Sequence, residues 1–161
     1  MRSLSHLGRD GKLLMVDVSS KAMTHRVAKA AARIKFPSTE AYNAVRKNSG
    51  VELKFQSENE LFSSSKIAGI MAAKNTSQLI PLCHTLMIES VDVCIAWNDE
   101  ENSIDVEGCV KSNGKTGVEM ESLVAVSIAS LNLYDMCKAV TKEIRIENVH
   151  LVSKAGGKSD K

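Results

Sequence analysis

The stretch from Thr116 to Lys138 constrains the fold most. Within it, Leu123-Val124-Ala125-Val126-Ser127-Ile128-Ala129 is apolar on nearly every side, so the spacing predicts a helix that is buried rather than laid on the surface. Ahead of it, Ser112-Asn113-Gly114-Lys115-Thr116-Gly117 reads as a turn that leaves an alternating strand. Thr116 with Glu119 three residues on matches a capping box, which makes Thr116 the expected N-cap. The polar residues stand at the helix ends, with Glu119 and Glu121 at the start and Asp135 and Lys138 near the finish.

Helix geometry limits what those ends can do together. Asp135 and Lys138 share one helix face and can pair. Glu121 and Asp135 are separated by roughly 21 Å along the axis, too far for one small reacting centre to touch both. Either the ends serve different purposes, or a second copy of the chain brings them together; the second copy is the favoured reading. Each feature also has a plain structural reading, Glu119 as a cap and Asp135–Lys138 as a solvated surface pair.

The 161 residues suit one domain with a sizeable core, and 43% hydrophobic with 25% charged residues is ordinary for a globular chain. A net charge of only +2 removes the bulk electrostatic case for nucleic acid, and 4% aromatic content argues against base-stacking platforms. Positive charge clusters locally instead, at Lys138, Lys142, Lys154 and Lys158 beside Gly156-Gly157. Cys83, Cys94, Cys109 and Cys137 lack C-x-x-C spacing and read as buried reduced thiols rather than a metal site or disulfide framework. No apolar run is long enough to span a membrane, and the start lacks a signal-peptide apolar region. The expected compartment is the cytoplasm, or an organelle matrix such as the mitochondrial one.

Along the chain, residues 1–14 read as a flexible arm, 15–153 as one domain and 154–161 as a Gly/Lys-rich tail. Residues 23–34 admit either helix or strand, because alternation of Arg26, Ala28 and Ala30 decides little alone. Ser38 should cap a short helix through about Asn48. Ser57 and Glu60 match a second capping box, opening a helix to about Ala73 that Asn75-Thr76 should break. Leu86 to Trp97 alternates, with Met87, Val91, Val93, Ile95 and Trp97 mostly on one side. An acidic turn over 98–102 leads to a strand through Ile104, Val106 and Val110, and Ile144 to Leu151 reads as a last strand with a register break. The expected class is α+β, a ferredoxin-like antiparallel sheet with helices on one face.

Two places join lysine to glycine, Gly114-Lys115-Thr116-Gly117 and Lys154-Ala155-Gly156-Gly157-Lys158, a combination suited to phosphate. Neither has the spacing of an ATPase phosphate loop. His84 follows Pro81-Leu82-Cys83 at a loop-to-strand junction; a lone histidine is more often structural, yet its titration range suits proton transfer. Cys83 beside it has no further ligands spaced to make a metal site.

Lys74-Asn75-Thr76-Ser77-Gln78-Leu79-Ile80-Pro81-Leu82-Cys83-His84 resembles a signature of the MoaC family, the cyclic pyranopterin monophosphate synthases of molybdenum cofactor biosynthesis. Thr116-Gly117-Val118-Glu119-Met120-Glu121 and Tyr134-Asp135-Met136-Cys137-Lys138-Ala139-Val140 resemble two more, and segments at both ends extend the likeness over essentially the whole chain. The resemblance implies a lyase that converts 3′,8-cyclo-7,8-dihydroguanosine 5′-triphosphate to cyclic pyranopterin monophosphate with release of pyrophosphate. It implies no cofactor beyond Mg²⁺ that a triphosphate could bring, and a homohexamer, a trimer of dimers, with the site between two copies. It also implies catalytic roles for Asp135, Lys138, His84 and Glu121. Substrate binding would fall to Cys83, His84, Glu119, Met120, Glu121, Arg26, Lys154 and Lys158. One departure stands out: where the family carries a catalytic lysine before the second helix, this chain has Glu58. Lys54 or Lys66 could fill that gap; otherwise the chain would bind a purine triphosphate without turnover.

Overall fold

In the computed structural model, which describes residues 4–8, 10–49 and 60–157, a four-stranded antiparallel sheet carries helices on one face. The elements run β1 (Thr24–Lys35), α1 (Thr39–Asn48), α2 (Glu60–Lys74), α3 (Thr76–Leu79), β2 (Ile88–Asn98), β3 (Ser103–Gly114), α4 (Glu119–Cys137) and β4 (Arg145–Ala155). Strand order β2-β3-β1-β4, with a helical crossover between β1 and β2 and another between β3 and β4, is the ferredoxin-like topology.

The ambiguous stretch is the strand β1, and its neighbours decide it. Ala28, Ala30, Ala32 and Ile34 are buried at period two, while β3 pairs with it from Thr24↔Gly114 to Lys35↔Ser103. Ile104, Val106 and Val110 of β3 are fully buried beside those alanines, and a branched partner strand overrides the helical preference of alanine. The small alanines leave room for α4, whose Ala125, Val126, Ala129 and Leu133 are 0% exposed. Burying each larger aliphatic side chain contributes about 1.5–3 kcal/mol. Gly69 of α2 sets how close the two long helices come: a Cβ there would lie 2.9 Å from the Ala125 carbonyl oxygen.

Local expectations meet the structure unevenly. Ser38 does cap α1, its Oγ accepting from Ala41 N at 3.2 Å. The cap expected at Ser57 lies outside the described residues. α2 ends at Lys74, but Asn75 only interrupts the helical path, since Thr76–Leu79 adds one further turn before extended Ile80 and Pro81. Met87 does not join the inward side of β2; it is 88% exposed, because a register shift between Ile88 and Ser90 breaks the alternation behind it. The register break of the last strand is present, with Asn148 at φ 56. Of the cysteines only Cys137 is buried, because Cys94 and Cys109 alternate onto the open face of the sheet. Their thiols are unpaired.

α4 is less enclosed than its composition suggests. Leu131 is 53% and Met136 46% exposed. Among the described residues, no helix is long and apolar enough to cross a membrane.

Candidate active site

Both lysine–glycine segments converge on one cleft of about 510 Å³. The turn between β3 and α4 supplies Lys115, Thr116 and Gly117, and the end of β4 supplies Lys154, Ala155, Gly156 and Gly157. β1 adds Thr24 and Arg26, and Glu119 opens α4 at the same place. Gly156 makes the convergence feasible: it sits at φ +86, and a Cβ there would collide with the His25 carbonyl.

Glu119 binds Lys154 rather than capping its helix. Lys154 Nζ donates to Glu119 Oε1 at 3.0 Å, both side chains about one-third exposed. Val118 occupies the cap position without a side-chain cap, and the Thr116 hydroxyl donates to Gly117 O at 3.3 Å. The expected capping box does not form, because the helix starts two residues beyond the expected cap, so Glu119 is its first residue rather than its third. Arg26 braces the turn, with Nε donating to Gly114 O at 3.3 Å and Nη2 to Lys115 O at 3.4 Å.

Glu121, two residues on, turns inward and is 4% exposed. Burial pushes its carboxyl up to about 6; the Glu119 charge adds to this and its own backbone N–H partly offsets it. Cys83 lies near enough to feel that carboxylate, and its thiol is raised first by burial and then by Glu121. His84 follows it, half-buried, at the approach to β2. Met120, by contrast, is 36% exposed and lines no part of the cleft.

Asp135 and Lys138 are at the other end of α4. Lys138 Nζ donates to Asp135 Oδ1 at 2.5 Å, and that carboxylate raises the lysine pKa. Beside them a second cleft of about 420 Å³ runs along Met136, Cys137 and Val140 to Asn48, Glu60 and Leu61. α4 is continuous from Glu119 to Cys137, so within one chain the structure keeps the two ends roughly 21 Å apart. The sequence-derived set is thus split: Arg26, Glu119 and Lys154 meet, Glu121 and Cys83 are neighbours, and Asp135–Lys138 stands alone.

Lys158, Lys54 and Glu58 lie outside the described residues, while Lys66 is on α2 near Cys94. Ser20, Lys21 and Ala22 line the cleft without having been marked by any periodicity or motif. Among the described residues no group of three or more His, Cys, Asp or Glu is placed to hold a metal ion.

Comparison with known proteins places the chain in a family. The MoaC family model matches residues 15–157, a span that contains every site residue named above except Lys158. The cyclic pyranopterin monophosphate synthase of Salinibacter ruber is 46% identical over 157 residues, covering 98% of this chain and 88% of its own length. With the match running through the sheet, both ends of α4 and the cleft, the chain belongs to the MoaC family.

Proposed function

We propose that this chain is a lyase of molybdenum cofactor biosynthesis, converting 3′,8-cyclo-7,8-dihydroguanosine 5′-triphosphate to cyclic pyranopterin monophosphate and pyrophosphate. The observation that carries the reading is the charge of the cleft: among the described residues, Lys21, Arg26, Lys115 and Lys154 line it against the one carboxylate of Glu119. Such a surplus suits a triphosphate and stabilises the charge that grows on departing pyrophosphate. Any Mg²⁺ would arrive on the phosphates themselves.

Glu121 is the acid–base group of this end, since a carboxyl titrating near 6 can both take and return a proton at neutral pH. His84 assists it, and Cys83, Glu119 and Met120 bound the purine-derived ring. Asp135 and Lys138 act as a second acid–base pair supplied by a neighbouring copy of the chain, and Lys158 adds a further cation for the phosphates. Two observations support a second copy: the separation along α4 and the exposure of Leu131 and Met136. The family resemblance makes that assembly a hexamer, a trimer of dimers.

The test is to incubate purified protein with the cyclic guanosine triphosphate intermediate and follow pyrophosphate release and pterin fluorescence after oxidation. Both signals are expected, and both should fall when Lys154 is replaced by Met. Tight substrate binding without pyrophosphate would overturn the lyase reading and favour a binder impaired at Glu58; Glu58→Lys should then raise turnover.

A further inference from the structure

One wall of the cationic cleft comes from the chain that precedes β1. Val16 and Val18 are half-buried while Asp17 and Ser19 are exposed, so this segment lies on the body through alternate residues. It then turns tightly. Ser19 N donates to Asp17 Oδ1 at 2.8 Å, and Lys21 N donates to Val18 O at 3.0 Å. That turn brings Ser20, Lys21 and Ala22 to the cleft. Beyond it, the Thr24 hydroxyl donates to Gly156 O at 2.8 Å, fixing where the segment enters β1.

One side chain fastens the turn from across the cleft. Lys115 Nζ donates to Ser19 O at 2.8 Å, joining the turn between β3 and α4 to the segment two residues before Lys21. An ammonium carries three donors, so Lys115 can keep that carbonyl while its charge still faces the cleft.

We propose that Lys115 is a positioning residue for polyphosphate recognition: it latches the 17–22 segment and thereby holds the Lys21 ammonium at the cleft opposite Arg26 and Lys154. The proposal rests on the reading of this cleft as a polyphosphate site. Its physical basis is preorganisation. Lys21 is exposed on irregular chain, and without the latch its backbone would have to be ordered on binding, a cost that subtracts directly from affinity.

The test uses the full-length protein, calorimetric titration with inorganic tripolyphosphate, and the variants Lys21→Met, Lys115→Met, Lys115→Arg and the double Met variant. Lys21→Met and Lys115→Met should each weaken binding about tenfold, the double variant well short of the product because the two losses overlap, and Lys115→Arg should restore most of the affinity. Brief trypsin digestion should release the fragment ending at Lys21 several-fold faster from Lys115→Met than from the parent or Lys115→Arg. Tripolyphosphate uptake that Lys115→Met leaves unchanged overturns the proposal alone. So does a double-variant loss of about a hundredfold, the product of two independent contacts. No uptake by the parent protein overturns the polyphosphate reading itself.

Discussion

Lys154 Nζ donates to Glu119 Oε1 at 3.0 Å, tying the end of β4 to the first turn of α4 inside a cleft that Lys21, Arg26 and Lys115 also line. The pair is partly exposed, so its own contribution to stability is within about 1 kcal/mol. Its larger effect is on ligand charge. Glu119→Gln frees the Lys154 ammonium and removes the one carboxylate among the described lining residues. Tripolyphosphate measured by calorimetry at low salt should then bind roughly three- to tenfold tighter, with little change in thermal midpoint. Weaker binding would mean that Glu119 serves Lys154 by orienting it, and that this orientation outweighs the competing charge.

Glu121 predicts a pH dependence of opposite sign to that of an ordinary paired carboxylate. Its carboxyl moves from 4.5 to about 6 on folding, so between those values the folded state holds more protons than the unfolded one. Stability therefore falls as pH rises through this window, and above it the buried charge costs on the order of 2 kcal/mol. Asp105 shows the ordinary case: burial works to raise its carboxyl, but the hydrogen bonds from Arg33 and Asn98 hold it below the usual value. The clean measurement is the difference between the parent and Glu121→Gln in urea unfolding at pH 5 and pH 8. Glu121→Gln should be more stable by roughly 2 kcal/mol at pH 8, with the gap closing towards pH 5. Turnover by the same variant should drop about 10²–10⁴-fold if Glu121 moves protons.

Much of this architecture was readable because patterns repeat along the elements. The alternation of Ile104, Val106 and Val110 and the unbroken apolar run of α4 gave strand and helix directly, and Ser38 marked its own helix start. Residues 28–32 hid their state because alanine carries helical propensity, and only pairing with β3 and β4 settles it. Thr116 misled for a different reason: the helix begins two residues beyond the expected cap, with Val118 at the cap position, and Glu119 bonds Lys154 of β4 instead. The lysine–glycine segments were visible singly, but that they share a cleft depends on β4 lying beside β1. Lys21 carried no signal, since it sits in irregular chain whose place is set by the tertiary hydrogen bonds from Lys115 to Ser19 O and from Thr24 to Gly156 O.

Helix spacing yields a stability prediction at Gly69. A Cβ there would lie 2.9 Å from Ala125 O, 3.2 Å from Ala129 Cβ and 3.3 Å from a Val93 methyl, so α2 cannot accept it without moving off α4. Gly→Ala in a helix ordinarily stabilises by about 0.5–1 kcal/mol. Overpacking at about 1–3 kcal/mol outweighs that gain. Gly69→Ala should lower the thermal midpoint by a few degrees, on the order of 2–4 °C for each kcal/mol lost. A rise would show that the two helices separate freely, against the closeness of their backbones.

The split of acid–base groups between the ends of α4 predicts complementation between inactive chains. Lys138→Met removes the ammonium beside Asp135, and Glu121→Gln removes the buried carboxyl, so each variant assembled alone should be inactive. In a two-fold pair that exchanges these ends, a mixed dimer carries one site with both lesions and one with neither. Random reassembly of equal amounts should therefore recover about a quarter of the parent activity. If both groups instead served one chain, every site in the mixture would keep one lesion, and no activity would return at any mixing ratio. Mixing under unfolding and refolding conditions, followed by pyrophosphate release, separates these outcomes without requiring either variant to differ in stability from the parent.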